Sequence, residues 1–260
     1  MLMKKILLAV ICILIFFLAT ACYIENDLLA SNVESSEITG NLVTEITYTE
    51  LETTIHSIST TIHTSLVEIP MIMQNPELPT GCEATAVAML LQGYGYNVTK
   101  EEVARAIPTC KMETFNGKRY TSHPEEAFYG NPFSKSGYGI FSPAMVKVAQ
   151  SFATNHTVID LKGSSEAEII ALIDKNIPVC IWSTSGGVDV VRRNSWYIKN
   201  GDIYTDELFW WPVNQHCLVL TGYDETTVTV NDPQKGIWKY NREDFFKHYD
   251  DIGRYALYIQ

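Results

Sequence analysis

The chain has 260 residues, of which 46% are hydrophobic and 19% charged, and its formal net charge is −11 at pH 7. This length is enough to bury a sizeable hydrophobic core. The acidic balance argues against a nucleic-acid-binding protein, because such proteins depend on basic residues to neutralise phosphates.

The chain opens with a pattern that is typical of an export signal. Lys4 and Lys5 precede an apolar run over residues 6–19, which is too short for a comfortable transmembrane helix. Small residues then precede Cys22, as in bacterial lipoprotein signals, in which the cysteine thiol is acylated. We predict a signal peptide over residues 1–22, with Cys22 as the lipid anchor, which places the protein on the outer face of the bacterial cytoplasmic membrane. Ala19 departs from the usual leucine, and plain cleavage after Ala21, giving a secreted protein, is the alternative.

Residues 23–66 have the composition of a solvated stalk. They contain 15 Ser and Thr, seven acidic residues, and no Lys, Arg or Pro. Their isolated apolar residues keep neither a helical nor a strand period long enough to build a core. We predict a stalk here, and a pair of Thr- and Ile-rich strands is the alternative.

Residues 67–260 have the composition of one globular domain, which contains most of the 14 Tyr, 10 Phe and 5 Trp of the chain. Cys180 and Cys217 lie in apolar, strand-like runs and are expected to be buried thiols. A disulfide among these two residues and Cys110 is left open. The cysteine spacings match no metal site, so we expect neither a metal nor a cofactor.

Cys82 has a different setting, because a loop containing Pro79 and Gly81 gives way there to an Ala- and Leu-rich run. Thr80 and Glu83 have the spacing of a capping box, which predicts a helix start within a residue or two of Cys82. A thiol in the first turn of a helix is close to the positive end of the helix dipole and to free N–H groups. Both favour the thiolate, and the N–H groups can also hold an oxyanion.

Further elements follow in chain order. Ser142-Pro143 predicts a helix to about Phe152, and Ser165 with Glu168 predicts another to about Asn176. Strands are expected over residues 178–183 and 255–259, and a short helix capped by Asn241 is expected through His248. Trp210 and Trp211 precede a strand that begins at His216, and they are expected either to stack on substrate or to join the core.

His216 is the histidine best placed to serve as a base. The strand that it begins turns at residues 224–226 and returns to Asp232. In such a hairpin the start of one strand lies opposite the end of the other, so His216 and Asp232 should meet. A cysteine nucleophile needs an imidazole to accept its proton and a carboxylate to orient that imidazole. Asn231 is the alternative orienting group, because alternation puts it on the face opposite Asp232.

The chain resembles the exported, stand-alone members of the papain-like superfamily that are related to the bacteriocin double-glycine leader peptidases. Four segments carry the resemblance: residues 71–85, 137–143, 216–224 and 230–233. The resemblance spans about residues 67–260. It implies an α+β papain-like fold, in which a helical half carries the cysteine and an antiparallel β half carries the histidine and aspartate. It also implies that a glutamine upstream of the nucleophile donates to the oxyanion, and Gln74 is the matching residue.

The predicted function is that of an exported thiol-dependent peptidase or amide hydrolase, with Cys82 as nucleophile, His216 as base, Asp232 as orienting group and Gln74 as oxyanion donor. The expected partner is a peptide or protein substrate, with cell-wall peptides as one class. We expect a monomer that contacts the membrane through its lipidated N-terminus and binds no nucleic acid. The alternatives are an inactive cell-surface binding module of the same fold and an acyltransferase acting on cell-wall peptides.

Overall fold

The computed structural model describes residues 68–260 and the backbone of residues 63–64. Cys22, the predicted signal peptide and nearly all of the predicted stalk lie outside the described residues. The α-helices of the described part are α1 Cys82–Gly93, α2 Lys100–Ala106, α3 Ser142–Phe152, α4 Glu166–Ile173 and α5 Arg242–Ile252. None of the helices in this part is long and apolar enough to cross a membrane.

The strands form one large and two small sheets. In chain order they are β1 His63–Thr64, β2 Thr109–Cys110, β3 Glu113–Phe115, β4 Lys118–Thr121, β5 Phe128–Tyr129, β6 Val158–Asp160, β7 Val179–Thr184, β8 Arg192–Asn200, β9 Ile203–Pro212, β10 Gln215–Tyr223, β11 Thr227–Asp232, β12 Gly236–Asn241 and β13 Ala256–Ile259. The large sheet has the order β12-β11-β10-β7-β13-β6, with β1 also paired to β10. The small sheets are β3-β4-β8-β9 and the parallel pair β2-β5.

The large sheet is antiparallel and is covered on both faces. Along β10, Cys217 and Val219 belong to one buried cluster, while Leu218 and Leu220 belong to the other. This alternation follows from the two-residue period of a strand. Helices α1, α2 and α3 contribute to the first cluster, and α4 and α5 contribute to the second. The arrangement is the α+β architecture that the sequence predicts.

Helix α1 runs through the interior of the first cluster, because every residue from Cys82 to Leu91 is buried. Its Ala-rich sequence allows this close packing on all sides, since small side chains let neighbouring elements approach. Its last residue is Gly93. The helix thus provides a rigid support for the thiol at its first position.

Two of the predicted helix caps are present and one is absent. Ser165 and Glu168 form a complete capping box, and Asn241 accepts a hydrogen bond from the Asp244 N–H. The capping box predicted for Thr80 and Glu83 is wrong, because α1 has Gly81 as its N-cap and no side-chain cap. Instead, Thr80 Oγ1 donates to the carbonyl of Ser134 at 2.8 Å. Tertiary contacts therefore use both side chains that a local cap would need.

Candidate active site

Cys82 is the first residue of α1, and its thiol lies where the helix end meets β10. The first intrahelical hydrogen bond runs from Thr85 N to Gly81 O, at 3.0 Å. The N–H groups of Cys82, Glu83 and Ala84 therefore precede the helical ladder and have no partner within it. This is the arrangement that the sequence predicts for the nucleophile, with the positive end of the helix beside the sulfur.

The Cys82 thiol is buried, with 6% of the residue exposed. Its Sγ donates to Glu83 Oε2 at 3.3 Å. Burial raises the pKa of Cys82 well above its usual range, and the neighbouring Glu83 carboxylate raises it further, while the backbone N–H groups of Cys217 and Glu83 oppose the shift. The thiol is therefore protonated at neutral pH in this arrangement.

Glu83 is fully buried and contacts both Cys82 and Gln215 on β10. Its Oε1 accepts hydrogen bonds from Ile140 N at 3.1 Å and from Gln215 Nε2 at 2.9 Å. Burial raises the pKa of Glu83, and its hydrogen bonds oppose that shift. The sequence pattern points only to a capping role for Glu83. A carboxylate in an otherwise apolar helix is nevertheless a signal that it has a specific buried partner.

His216 and Asp232 form a direct hydrogen bond at the predicted end of the β10–β11 hairpin. Nε2 of His216 lies 2.7 Å from Oδ1 of Asp232, and about 1% of each side chain is exposed. Asn231 faces elsewhere, because its Nδ2 donates to the carbonyl of Ile69 at 3.0 Å. Of the two orienting groups that the sequence left open, Asp232 is the one that contacts His216.

Two further donors hold the Asp232 carboxylate. The Gln234 N–H donates to Oδ1 at 2.8 Å, and the Tyr240 hydroxyl donates to Oδ2 at 2.7 Å. Burial opposes ionisation, but the His216 hydrogen bond and charge and these two donors outweigh it and lower the pKa of Asp232 to about 2. Burial and the neighbouring Asp232 raise the pKa of Tyr240, so its hydroxyl remains a donor. Nothing in the sequence pattern points to Tyr240 in this role.

Gln74 is buried beside the same strand ends. Its backbone N–H donates to the carbonyl of Pro233 at 2.9 Å, which ties the Gln74 loop to the end of β11. Its Nε2 donates to the carbonyls of Leu78 and Pro79, both at 3.1 Å, and its Oε1 has no partner. The loop between Gln74 and Cys82 therefore folds back on Gln74. Because Gln74 lies eight residues before Cys82, its amide could not serve as the predicted oxyanion donor without such a fold.

The predicted residues thus gather at one place in the fold. His216 bonds to Asp232, Gln74 bonds to the residue after Asp232, and the backbone of the residue after His216 faces the thiol of Cys82. The thiol hydrogen, however, is directed to Glu83 and not to the imidazole. Of the two ring nitrogens of His216, Nε2 is the one that bonds to Asp232.

The two tryptophans next to the site differ in exposure. Trp211 is buried, whereas Trp210 is half exposed. The sequence allows either tryptophan to stack on substrate or to join the core, and the structure places Trp211 in the core. Trp210 is the one whose ring faces solvent.

The two buried cysteines of the sheet are neighbours. Cys180 on β7 and Cys217 on β10 are free thiols whose sulfur atoms lie 3.3 Å apart. Both belong to the hydrophobic cluster that packs against α1. They are the buried thiols that the sequence predicts.

Comparison with known proteins agrees with this fold. The model of the Peptidase_C39 like family matches residues 66–257. The uncharacterized protein YvpB of Bacillus subtilis (strain 168) is 30% identical over 189 residues, which cover 72% of each chain. A Bacillus anthracis crystal structure, described as a C39-like peptidase without an established activity, is 30% identical with a TM-score of 0.66, covering 76% of this chain and 96% of that one. The chain therefore belongs to the Peptidase_C39 like family and contains a cysteine peptidase-like domain of papain-like fold.

Proposed function

We propose that the protein is a peptidase or amide hydrolase that uses Cys82 as nucleophile, His216 as base and Asp232 as orienting group. The observation that carries this proposal is the buried 2.7 Å hydrogen bond between His216 and Asp232 beside the start of α1. A carboxylate in this position fixes the tautomer of the imidazole and stabilises the imidazolium that forms during catalysis. Family membership supports the same reaction class.

The reaction proceeds in two half-reactions. His216 accepts the S–H proton of Cys82, and the thiolate attacks the carbonyl carbon of the substrate amide. The tetrahedral intermediate collapses to a thioester as His216 gives its proton to the leaving amine. Water, deprotonated by His216, then attacks the thioester, and the acid product leaves as the thiol is restored.

Charge on the intermediate needs donors at the helix start. The free N–H of Cys82 is the first candidate, because it precedes the hydrogen-bonded ladder of α1. Gln74 is the proposed second donor. Because its amide is bonded to the carbonyls of Leu78 and Pro79, it must exchange one of those hydrogen bonds for the oxyanion when substrate binds. Its unpartnered Oε1 leaves the amide less constrained than a fully bonded one.

A second candidate function is a cell-surface binding module that performs no chemistry. The observation that favours it is the neutral, buried Cys82 thiol, which donates to Glu83 and has a raised pKa. A peptidase with this resting state must change it before the thiolate can form. The two functions differ in whether any substrate-like electrophile reacts at Cys82.

We further propose that the protein is exported and anchored at the outer face of the bacterial membrane through Cys22. The basis is the sequence pattern of residues 1–22. Growth of the expressing cells with an alkyne-tagged fatty acid tests this directly. Label should enter the parent protein and be lost in Cys22→Ala, and equal labelling of both would remove Cys22 as the anchor.

Hydrolysis of a defined peptide mixture tests the catalytic proposal. The full-length parent, Cys82→Ser and His216→Ala are compared, with new peptide termini counted by mass spectrometry. The parent should produce termini that neither variant produces, since each variant lacks one half of the nucleophile–base pair. Cleavage that persists unchanged in Cys82→Ser would overturn the proposal. If the acyl group is transferred to an added amine in place of water, the protein is an acyltransferase instead.

A further inference from the structure

The Glu83 carboxylate has a position that the triad reaction does not use. Three donors converge on its two oxygens: Ile140 N at 3.1 Å, Gln215 Nε2 at 2.9 Å and Cys82 Sγ at 3.3 Å. The backbone N–H of Ile140 and the Nε2 group of Gln215 can only donate, so both require Oε1 as an acceptor. Oε2 is then the oxygen that accepts the S–H hydrogen of Cys82, and an ionised carboxylate can accept all three hydrogen bonds.

The segment around Gly139 seals this carboxylate from water. A Cβ atom at Gly139 would lie 2.6 Å from Glu83 Oε1, 2.5 Å from Gln215 Nε2 and 2.8 Å from the ring of Trp211. Only a glycine allows the backbone to approach so closely. The charge of Glu83 therefore acts on its neighbours through a dry, weakly screened medium.

The Cys82 thiol and the Glu83 carboxylate share the positive potential at the N-terminal end of α1. Both side chains belong to the first turn of α1, where free N–H groups and the helix dipole favour a single negative charge. Two adjacent anions repel, so the group that ionises first keeps the other neutral. Because the ordinary pKa of a glutamate carboxyl lies well below that of a cysteine thiol, the carboxyl is the group expected to ionise first. The other titratable groups around Cys82 are Cys217 on β10, which follows His216, and Cys180 behind it.

We propose that Glu83 is a positioning residue for the nucleophile, whose negative charge holds Cys82 as a neutral thiol with its hydrogen directed to Glu83 and not to His216. The inference rests on the proposed function in taking Cys82 as the nucleophile. Its effect on the thiol, however, is measured without any substrate. Activation then requires the charge of Glu83 to be neutralised or moved. Gln215, whose Nε2 donates to Glu83, directly precedes the base His216 in the sequence.

The test is the pH dependence of iodoacetamide alkylation at Cys82 in the full-length protein, mapped by mass spectrometry. The parent is compared with Glu83→Gln, which keeps the shape and removes the charge, and with Glu83→Asp, which keeps the charge. In Glu83→Gln, the rate at pH 7 should rise at least about tenfold, which corresponds to a thiol pKa at least one unit lower. In Glu83→Asp it should stay within a few fold of the parent, and Cys110 should react equally in all three.

Two results would overturn the proposal: no acceleration in Glu83→Gln, or equal acceleration in both variants, which would mean that loosened packing and not charge is responsible. If Glu83→Gln does not fold, carboxyl ¹³C NMR of the parent decides, because a neutral Glu83 at pH 7 contradicts the proposal and an ionised one supports it. Faster alkylation without peptide hydrolysis would support this inference and count against the peptidase function, so the two failures are distinguishable.

Discussion

The Nε2 atom of His216 lies 2.7 Å from the Oδ1 atom of Asp232, inside the hairpin that joins β10 to β11. Two more donors, Gln234 N and the Tyr240 hydroxyl, fix the same carboxylate. The imidazole is therefore held in one orientation before any substrate arrives. In the proposed mechanism its other ring nitrogen, Nδ1, exchanges the proton with Cys82.

Asp232→Asn should lower peptide turnover strongly, because an amide neither fixes the imidazole tautomer nor stabilises the imidazolium. We expect a loss of about 10²- to 10⁴-fold in kcat. The shape of the site is kept, so KM should change little. Asn231→Ala is the matched control on the opposite face of the strand, and turnover in Asp232→Asn at the parental level would remove Asp232 from the mechanism.

Acid should remove a stabilising contribution that depends on Asp232. Its pKa is about 2 in the folded chain against an ordinary value of 3.8, so between these values the unfolded chain binds more protons. Stability from this group is thus present above about pH 4 and is lost as the pH falls through about 2, with a total on the order of 2 kcal/mol.

Urea unfolding of the parent and of Asp232→Asn at several pH values measures this contribution. The difference in free energy of unfolding between the two proteins should shrink as the pH falls from 4 to 2. A difference that stays constant over this range would show that Asp232 has the same pKa in the folded and unfolded chains.

Asn231→Ala should affect stability and not catalysis. Its Nδ2 donates to the Ile69 carbonyl at 3.0 Å, which ties the segment before α1 to β11. Loss of this hydrogen bond should reduce the free energy of unfolding by about 1 to 2 kcal/mol. Chemical denaturation checks the value, and a peptide assay on the same preparation checks turnover. A large fall in turnover with unchanged stability would assign Asn231 to the site.

The helices and strands around the site follow closely from sequence pattern, and so does the meeting of His216 with Asp232. Both depend on local signals: an alternating hairpin, and helix caps at Ser165 and Asn241. The failed cap at Thr80 shows the limit, because that side chain bonds instead to the Ser134 carbonyl more than 50 residues away. A capping pattern does not reveal a competing tertiary partner.

The contacts that could not be predicted join distant parts of the chain. Strand β4 pairs in parallel with β8 across some 75 residues, and no local pattern encodes that pairing. Glu83 meets Gln215 in the same way, and Tyr240 reaches Asp232 from the next strand, β12. The sequence therefore predicts the meeting of His216 with Asp232 better than it predicts the groups from distant strands that surround the site.

Lys100→Met should loosen the loop that carries Gln74. The buried ammonium donates to the carbonyl of Met73 at 2.6 Å and to that of Gln74 at 3.1 Å, and it pairs with Glu77 at 2.7 Å. Removing a charged donor from buried carbonyls should cost about 1 to 3 kcal/mol of stability. If Gln74 donates to the oxyanion, kcat should fall as well.

Lys147→Met, at an exposed position of α3, is the matched control for Lys100→Met, and it should leave both the stability and kcat unchanged. Gln74→Ala separates the effect of the loop on stability from its effect on catalysis. As an oxyanion donor, its loss should cost about 10²- to 10³-fold in kcat. Unchanged turnover in Gln74→Ala would restrict Gln74 to a structural role in holding Leu78 and Pro79.

The most direct test of the triad is covalent labelling of the full-length protein with a peptidyl acyloxymethyl ketone, an electrophile that needs an assisted thiol. Adducts are located by mass spectrometry in the parent, His216→Ala and Asp232→Asn. The account predicts an adduct on Cys82, far faster than on Cys110, that is lost in His216→Ala and strongly slowed in Asp232→Asn. Labelling of Cys82 no faster than Cys110, or unchanged without His216, would contradict it and favour the binding module.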